Sequence, residues 1–384
     1  MTARDPIYLD YNATAPIRPE AAEAVACALA IGGNPSSVHA AGRTARAAIE
    51  RARGEVARLV AVKEGSVTFT SGGTEANALA IDSAIAAGCR RPIVGLAEHA
   101  STLQNAMSHG LMVEGWPVLP SGAVDLNWLE DRLKAWPVED GRPFVAVSLA
   151  NSETGVIQPT AEAAALVRAA GGWLHVDAVQ AAGKIAVDFT LTGADTLTLS
   201  GHKLGGPHGA GALIAGPRAT LTRRLHGGGQ ERGRRAGTEN VPGVAGFGAA
   251  AAAAMRDLPG FAAQSAWRDA AEIAVMRDEE VLVFGTDAPR LPSVLNFAAT
   301  GFESERQVIA MDLEGVMVSA GSACSSGKVT ASQVLSAMGY GSLAGSALRV
   351  SGGWATTSDD WTRFADVWLV LHERFRARRR ASAA

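Results

Sequence analysis

Cysteine is scarce in this chain: 3 residues in 384, at Cys27, Cys89 and Cys324, with no Cys-x-x-Cys pair. That excludes a disulfide framework and a structural zinc site of the usual spacing, and no metal site is expected; free thiols in a cytoplasmic protein are the simplest reading. Aromatic residues are only 5% and charged residues 19%. The net charge of −3 gives no basic excess with which to wrap nucleic acid. No apolar run reaches the length of a membrane span, and the longest weakly polar stretch, Gly243 to Met255, is mostly Ala and Gly. Met1 to Pro6 has no apolar core of a secretory signal. Apolar residues at 47% suffice for a sizeable core, and the length suits two or three domains, or one large and one small.

From Val67 to Gly216 the pattern alternates. Strand-like runs at Val67–Thr70, Pro92–Ala97, Phe144–Leu149, Trp173–Val176, Thr196–Leu199 and Ala212–Ala215 are separated by helical stretches near Thr74–Ala87, Ser101–Ser108, Asn127–Trp136 and Ala161–Ala170. Such alternation predicts an α/β layer fold with a mostly parallel sheet and a ligand site at the carboxyl ends of its strands. After Met255 helices at Ala262–Met276, Ser332–Met338 and Asp359–Phe375 mix with strands at Ser293–Phe297 and Ala347–Ser351, which predicts a smaller α+β domain. The expected division is 15–255 for the large domain and 1–14 with 256–384 for the small one. The basic run Arg374 to Arg380 reads as a solvated helix end.

Three segments at strand ends carry chemistry. Ser71-Gly72-Gly73-Thr74-Glu75 joins a strand to a helix and suits an anion, although a plain turn capped by Thr74 explains it as well. His175-Val176-Asp177 ends a hydrophobic strand with an acid, which needs a partner or serves as a cap. Ser200-Gly201-His202-Lys203 ends the next strand. Lys203 is one of only five lysines, and a desolvated lysine amine forms Schiff bases. An anion cradle, an acid and a lysine in this order are the three requirements of pyridoxal 5′-phosphate: a seat for the phosphate, a carboxylate against the ring nitrogen and an amine for the aldehyde.

With those segments in view, the chain resembles the cysteine desulfurases of group I, within the class V aminotransferases of fold-type I. The resemblance runs almost end to end: Tyr8 to Pro16, Gly33 to His39, Thr70 to Asn77, Glu98-His99, Asn151 to Pro159, His175 to Gln180, Ser200 to Pro207, Gly227 to Thr238 and Gly321 to Ser326. It implies a large domain with a seven-stranded sheet and a smaller domain carrying a cysteine loop. Lys203 would carry the Schiff base and Asp177 would pair with the ring nitrogen. His99 would stack on the ring and shuttle protons, and Gln180 would bond the phenolic oxygen. Gly73, Thr74, Ser200 and His202 would hold the phosphate, joined by Thr238 from the other subunit of a homodimer. Asn151 and Arg349 would orient the substrate carboxylate, with Asn151 near the cofactor as well. Cys324, in a run of small residues, would take sulfur from L-cysteine as a persulfide, release L-alanine, and pass the sulfur to an acceptor such as an iron–sulfur scaffold protein. Cys27 and Cys89 lie in Ala-rich stretches that read as helical and buried. Asn151-Ser152-Glu153-Thr154 departs from the family pattern of two asparagines and an isoleucine, and no long C-terminal scaffold-docking extension is recognisable. A selenocysteine lyase or another class V enzyme is the alternative; a non-catalytic sulfur carrier that has kept the fold is a further one.

Overall fold

The computed structural model describes residues 5–321 and 331–383. A two-residue strand β1 (Ile7–Tyr8) opens the chain and pairs much later. The large sheet follows: β2 (Val67–Thr70), β3 (Pro92–Gly95), β4 (Glu114–Trp116), β5 (Phe144–Ser148), β6 (Trp173–Asp177), β7 (Thr196–Ser200) and β8 (Gly211–Ala215). Its order is β2-β8-β7-β6-β5-β3-β4. Only β8 runs against its neighbours, and the other pairings are parallel. This is the mostly parallel seven-stranded sheet anticipated above. Both faces are covered by helices, so β6 and β7 are buried at every position, as strands with no solvent face must be. The short strand β4 was not legible in the sequence, because Glu114-Gly115-Trp116 has neither alternation nor β-branched residues.

Helix Val241–Phe261 packs on Pro19–Leu29 and Ala40–Leu59. The contact is close because the residues are small: a Cβ on Gly248 would stand 2.5 Å from the Ala52 Cα. The same helix continues past Met255, where the sequence texture changes, so the expected domain division falls inside it. Texture follows which side chains are buried, whereas the helix follows backbone hydrogen bonds, and the two end at different places.

Beyond it, β9 (Val281–Val283), β10 (Val294–Ala299), β11 (Val316–Met317) and β12 (Ala347–Ser351) form a three-stranded antiparallel sheet, β12-β10-β9, and a parallel pair of β11 with β1. An aromatic core of Phe297, Trp361, Phe364 and Trp368 is separate from the Ala, Val and Leu core of the large sheet. Helix Ser358–Ala383 covers it and ends in the basic run. No helix among the described residues is long and apolar enough to cross a membrane. Cys27 lies in helix Pro19–Leu29 but is exposed. Cys89 is buried in a β-bridge to Gly141, past the end of its helix, where burial pushes its thiol up to about 11. Alanine content marked both as buried helix; the turn at Ala87-Gly88 ends the second helix before the cysteine.

Candidate active site

The parallel strands deliver their carboxyl ends to one edge of the sheet. Thr70, Gly95, Ser148, Asp177 and Ser200 are therefore the last residues of β2, β3, β5, β6 and β7. A cavity of about 240 Å³ opens there, with Gly73, Thr74, His99, Asp177, Gln180, Ser200, His202 and Lys203 in its wall. A larger groove of about 620 Å³ lies elsewhere, at Arg53 and Glu231, and has no lysine, histidine or cysteine among its described lining residues.

Lys203 stands in a single helical turn, Gly201–Lys203, that follows β7 directly. Its Nζ donates to the carbonyl oxygens of Asn12, at 2.6 Å, and Ala13, at 2.7 Å. The buried Asn12 is the hub of this corner. Its carbonyl also accepts from Gln180 Nε2 at 2.9 Å, and its side-chain oxygen accepts from Lys184 Nζ at 2.5 Å. Lys184 donates in addition to Gln180 Oε1 at 2.7 Å. Burial lowers the Lys184 pKa well below that of an ordinary lysine, and the charges of Lys203 and Arg349 add to the effect.

Asp177 is buried and accepts from Val179 N on Oδ1 and from Asn77 Nδ2 on Oδ2, each at 2.9 Å. Each carboxylate oxygen retains acceptor capacity for a further donor. The turn after it makes no α-helix, so Asp177 caps a turn only through Val179. Helix Gly73–Ala86 begins one residue before Thr74, with Gly72 at the cap, so Thr74 sits in its first turn and does not cap it. The turn instead presents first-turn backbone N–H groups and the Thr74 hydroxyl to the cavity wall. A Cβ on Gly73 would stand 3.2 Å from the Val179 side chain, a tight contact that glycine avoids. Beside it, burial lowers the His202 pKa to about 4, helped by Lys203 and His208; its ring stays neutral and pairs with Thr14 Oγ1 at 3.1 Å.

His99 caps helix Ala100–Met107: its Nδ1 accepts from Ser101 N at 3.1 Å and lies 2.7 Å from Ser101 Oγ. Its neighbour Glu98 accepts from Ser148 N at 2.7 Å and Ser148 Oγ at 2.6 Å. Burial pushes Glu98 up to about 7, against the lowering by these bonds and with the Asp177 charge adding to the rise.

Other expected residues stand outside the cavity wall. Asn151 uses its Oδ1 for Glu153 N, Thr154 N and Thr154 Oγ1, and its Nδ2 for Ala97 O. Arg349, buried in β12, pairs with Asp10 at 2.7 Å and Ser152 O at 3.3 Å, and its Nε has no partner among the described residues. It also bridges Ser319 through the backbone. Thr238 is exposed and does not line the cavity. Cys324 lies outside the described residues. Asn12, Asn77, Glu98, His175 and Lys184 were not singled out individually from the sequence. For Asn77, His175 and Lys184 the signal is a lone polar residue in an apolar stretch, as in Trp173-Leu174-His175-Val176, which periodicity alone does not mark.

The donor set fits pyridoxal phosphate: helix N–H groups and hydroxyls for a phosphate, a deep carboxylate for a protonated ring nitrogen, and an amine between them. Residues 7–364 match the family model described as aminotransferase class-V. The chain is 35% identical to a cysteine desulfurase, IscS, of Dictyoglomus turgidum, over 96% of this chain and 95% of that one. It is 40% identical to a cysteine desulfurase of a Frankia species, over 94% and 90%. Among solved structures, a NifS-like protein from Rickettsia africae superposes with a TM-score of 0.87 at 31% identity, covering 96% of this chain and 99% of that one. A structure described as SspA in complex with cysteine gives a TM-score of 0.75 at 26% identity, over 90% and 98%.

Proposed function

The chain belongs to the class V aminotransferase family and is a cysteine desulfurase; on that premise we propose that its cavity holds pyridoxal 5′-phosphate and L-cysteine together, and that Cys324 receives the sulfur. One observation carries the reading: the Lys203 amine, the Asp177 carboxylate and the start of helix Gly73–Ala86 converge on a single cavity. When bound, the cofactor supplies an electron sink for the carbanion that forms at the substrate Cα.

Lys203 would bind the aldehyde; the carbonyls of Asn12 and Ala13 hold its amine at the cavity wall. With L-cysteine in the cavity, the Lys203 amine would take the Cα proton of the substrate. Asp177 would pair with the ring nitrogen. Gln180, held by Asn12 and Lys184, would bond the phenolic oxygen. Thr74, Ser200, neutral His202 and the N–H groups near Gly73 hold the phosphate. His99 would stack on the ring face.

The substrate carboxylate competes with Asp10 for Arg349, whose planar fork suits bidentate pairing and whose Nε is unpartnered among the described residues. Asn151 would join it in orienting the substrate carboxylate. The Cys324 thiolate attacks the substrate sulfur: the new S–S bond forms as the C–S bond breaks, and the carbon skeleton takes up protons and leaves as L-alanine. The persulfide then passes to an acceptor such as an iron–sulfur scaffold protein. Thr238 of a second copy completes the phosphate seat in a homodimer. The large and small domains would divide within helix Val241–Phe261, near residue 255, with 1–14 belonging to the small one.

The test uses the full chain with added cofactor. Borohydride reduction followed by peptide mapping should place the label on Lys203. Cys324→Ala should keep the visible absorbance of the bound cofactor and lose alanine formation from cysteine. A label elsewhere, or normal desulfuration by that variant, refutes the assignment.

A further inference from the structure

Strand β6 buries a histidine completely, two residues before the acid. Both ring nitrogens of His175 are engaged: Nδ1 is 2.9 Å from Thr196 Oγ1, and Nε2 is 3.0 Å from Asn77 Oδ1. The direction of these bonds is decided at the two ends of the chain they form. At one end the indole N–H of Trp173, which only donates, points at Thr196 Oγ1 from 3.0 Å. That leaves the Thr196 hydroxyl proton for His175 Nδ1, the direction that the Asn77 end requires. Burial holds the His175 pKa near 4, against the pull of Asp177, so the ring is neutral and its proton sits on Nε2. From there it donates to Asn77 Oδ1.

This turns both amide protons of Asn77 forward. One meets Asp177 Oδ2 at 2.9 Å and the other meets Ser101 Oγ at 2.9 Å, with Thr102 Oγ1 at 3.2 Å. The opposite amide orientation would set a carbonyl oxygen against the carboxylate. Ser101 Oγ, having accepted, donates to His99 Nδ1 at 2.7 Å, the nitrogen that also accepts the helix-capping N–H. Asn77, His175 and Thr196 are fully buried, so water does not compete for these bonds.

We infer that Asn77 is a branch point joining Asp177 to His99, and that His175, anchored through Thr196 and Trp173, is the positioning residue that sets its polarity. The inference rests on the preceding reading, in which Asp177 meets the ring nitrogen and His99 the ring face. It assigns two properties that the residue types do not. Asp177 is held as an acceptor with a fixed rotamer. His99 presents Nε2–H, because its Nδ1 is spent on Ser101. Protonating its Nδ1 would lose the bond from Ser101 N and reverse the one with Ser101 Oγ.

The experiment compares the cofactor-loaded parent with Asn77→Ala, His175→Phe, Thr196→Val and His175→Gln, whose amide keeps a donor toward Asn77. A bond to a charged group contributes on the order of tenfold in an equilibrium or rate. Asn77→Ala, His175→Phe and Thr196→Val should each weaken pyridoxal phosphate binding, read from visible absorbance, by about tenfold. Their kcat should fall by at least about tenfold while KM for cysteine stays within about twofold. His175→Gln should recover most of both. Asn77→Ala with parental cofactor affinity and kcat, or His175→Gln no better than His175→Phe, overturns the relay. The nearly isosteric Thr196→Val reports on the relay should His175→Phe fold poorly. Lys203 labelling in the parent is measured first: its absence fails the preceding reading, whereas normal labelling with unaltered variants fails this one.

Discussion

Individual side chains in this site are set by their burial as much as by their chemistry. Glu98 illustrates it: its carboxyl is pushed up to about 7 by burial, so the folded chain binds its proton more tightly than the unfolded chain does. Stability from this group is present at low pH and is lost as pH rises from the ordinary carboxyl range through about 7. Glu98→Gln cannot titrate and still pairs with Ser148. Its melting temperature relative to the parent should therefore rise between pH 5 and pH 8; a constant difference would refute the shift. His175 has the opposite sign. Its pKa of about 4 lies below the unfolded value, so its contribution is present above about 6.5 and is lost as pH falls toward 4. A non-titrating His175→Gln should lose less stability than the parent between pH 7 and pH 5, measured by thermal melts.

Among the helices, close approach decides which residues are tolerated. Val241–Phe261 lies against Ala40–Leu59 through Gly248 and Ala52. Gly248→Val forces its methyl groups into the Ala52 backbone and should cost about 1–3 kcal/mol, seen as a lowered melting temperature. The segment Gly227–Thr238 is pinned differently. Glu231 and Arg232 adopt left-handed φ values of 46° and 59°, and Glu231 makes a bidentate pair with buried Arg53 at 2.7 and 2.8 Å. Its Oε2 also accepts from Phe69 N at 2.8 Å. Glu231→Ala leaves Arg53 charged and buried with only Glu50, at the half-exposed edge, to offset it. The expected loss is about 3–5 kcal/mol, and the segment becomes an early site of limited proteolysis. A variant as stable as the parent would show that the strained turn holds itself.

Across the whole molecule, the two sheets meet over the cavity through the first residues of the chain. Asn12 N donates to Ser351 Oγ in β12 at 3.0 Å and Asn12 Nδ2 to Ser152 O at 2.9 Å, while its oxygens accept from Gln180, Lys184 and Lys203. Asn12→Ala strips Lys184 of one of its two acceptors and loosens the strap. It should lower both the melting temperature and the affinity for pyridoxal phosphate, whereas an exposed substitution in helix Ser358–Ala383 should change neither. Unchanged cofactor affinity in Asn12→Ala would separate the strap from the site.

The sequence by itself determined the layered α/β architecture, because strands buried on both faces must be apolar runs, and Val67–Thr70 or Trp173–Val176 read that way without context. It also determined the order of cradle, acid and lysine, since each falls at a strand end where the pattern breaks. The tertiary structure decided what locality could not. Asn77 and His175 lie 98 residues apart, Asn12 and Lys203 191, and Arg53 and Glu231 178, and none of these pairs leaves a periodic trace. Periodicity reports which face of an element is buried; which buried polar group meets which is settled only when the sheet brings their strand ends together.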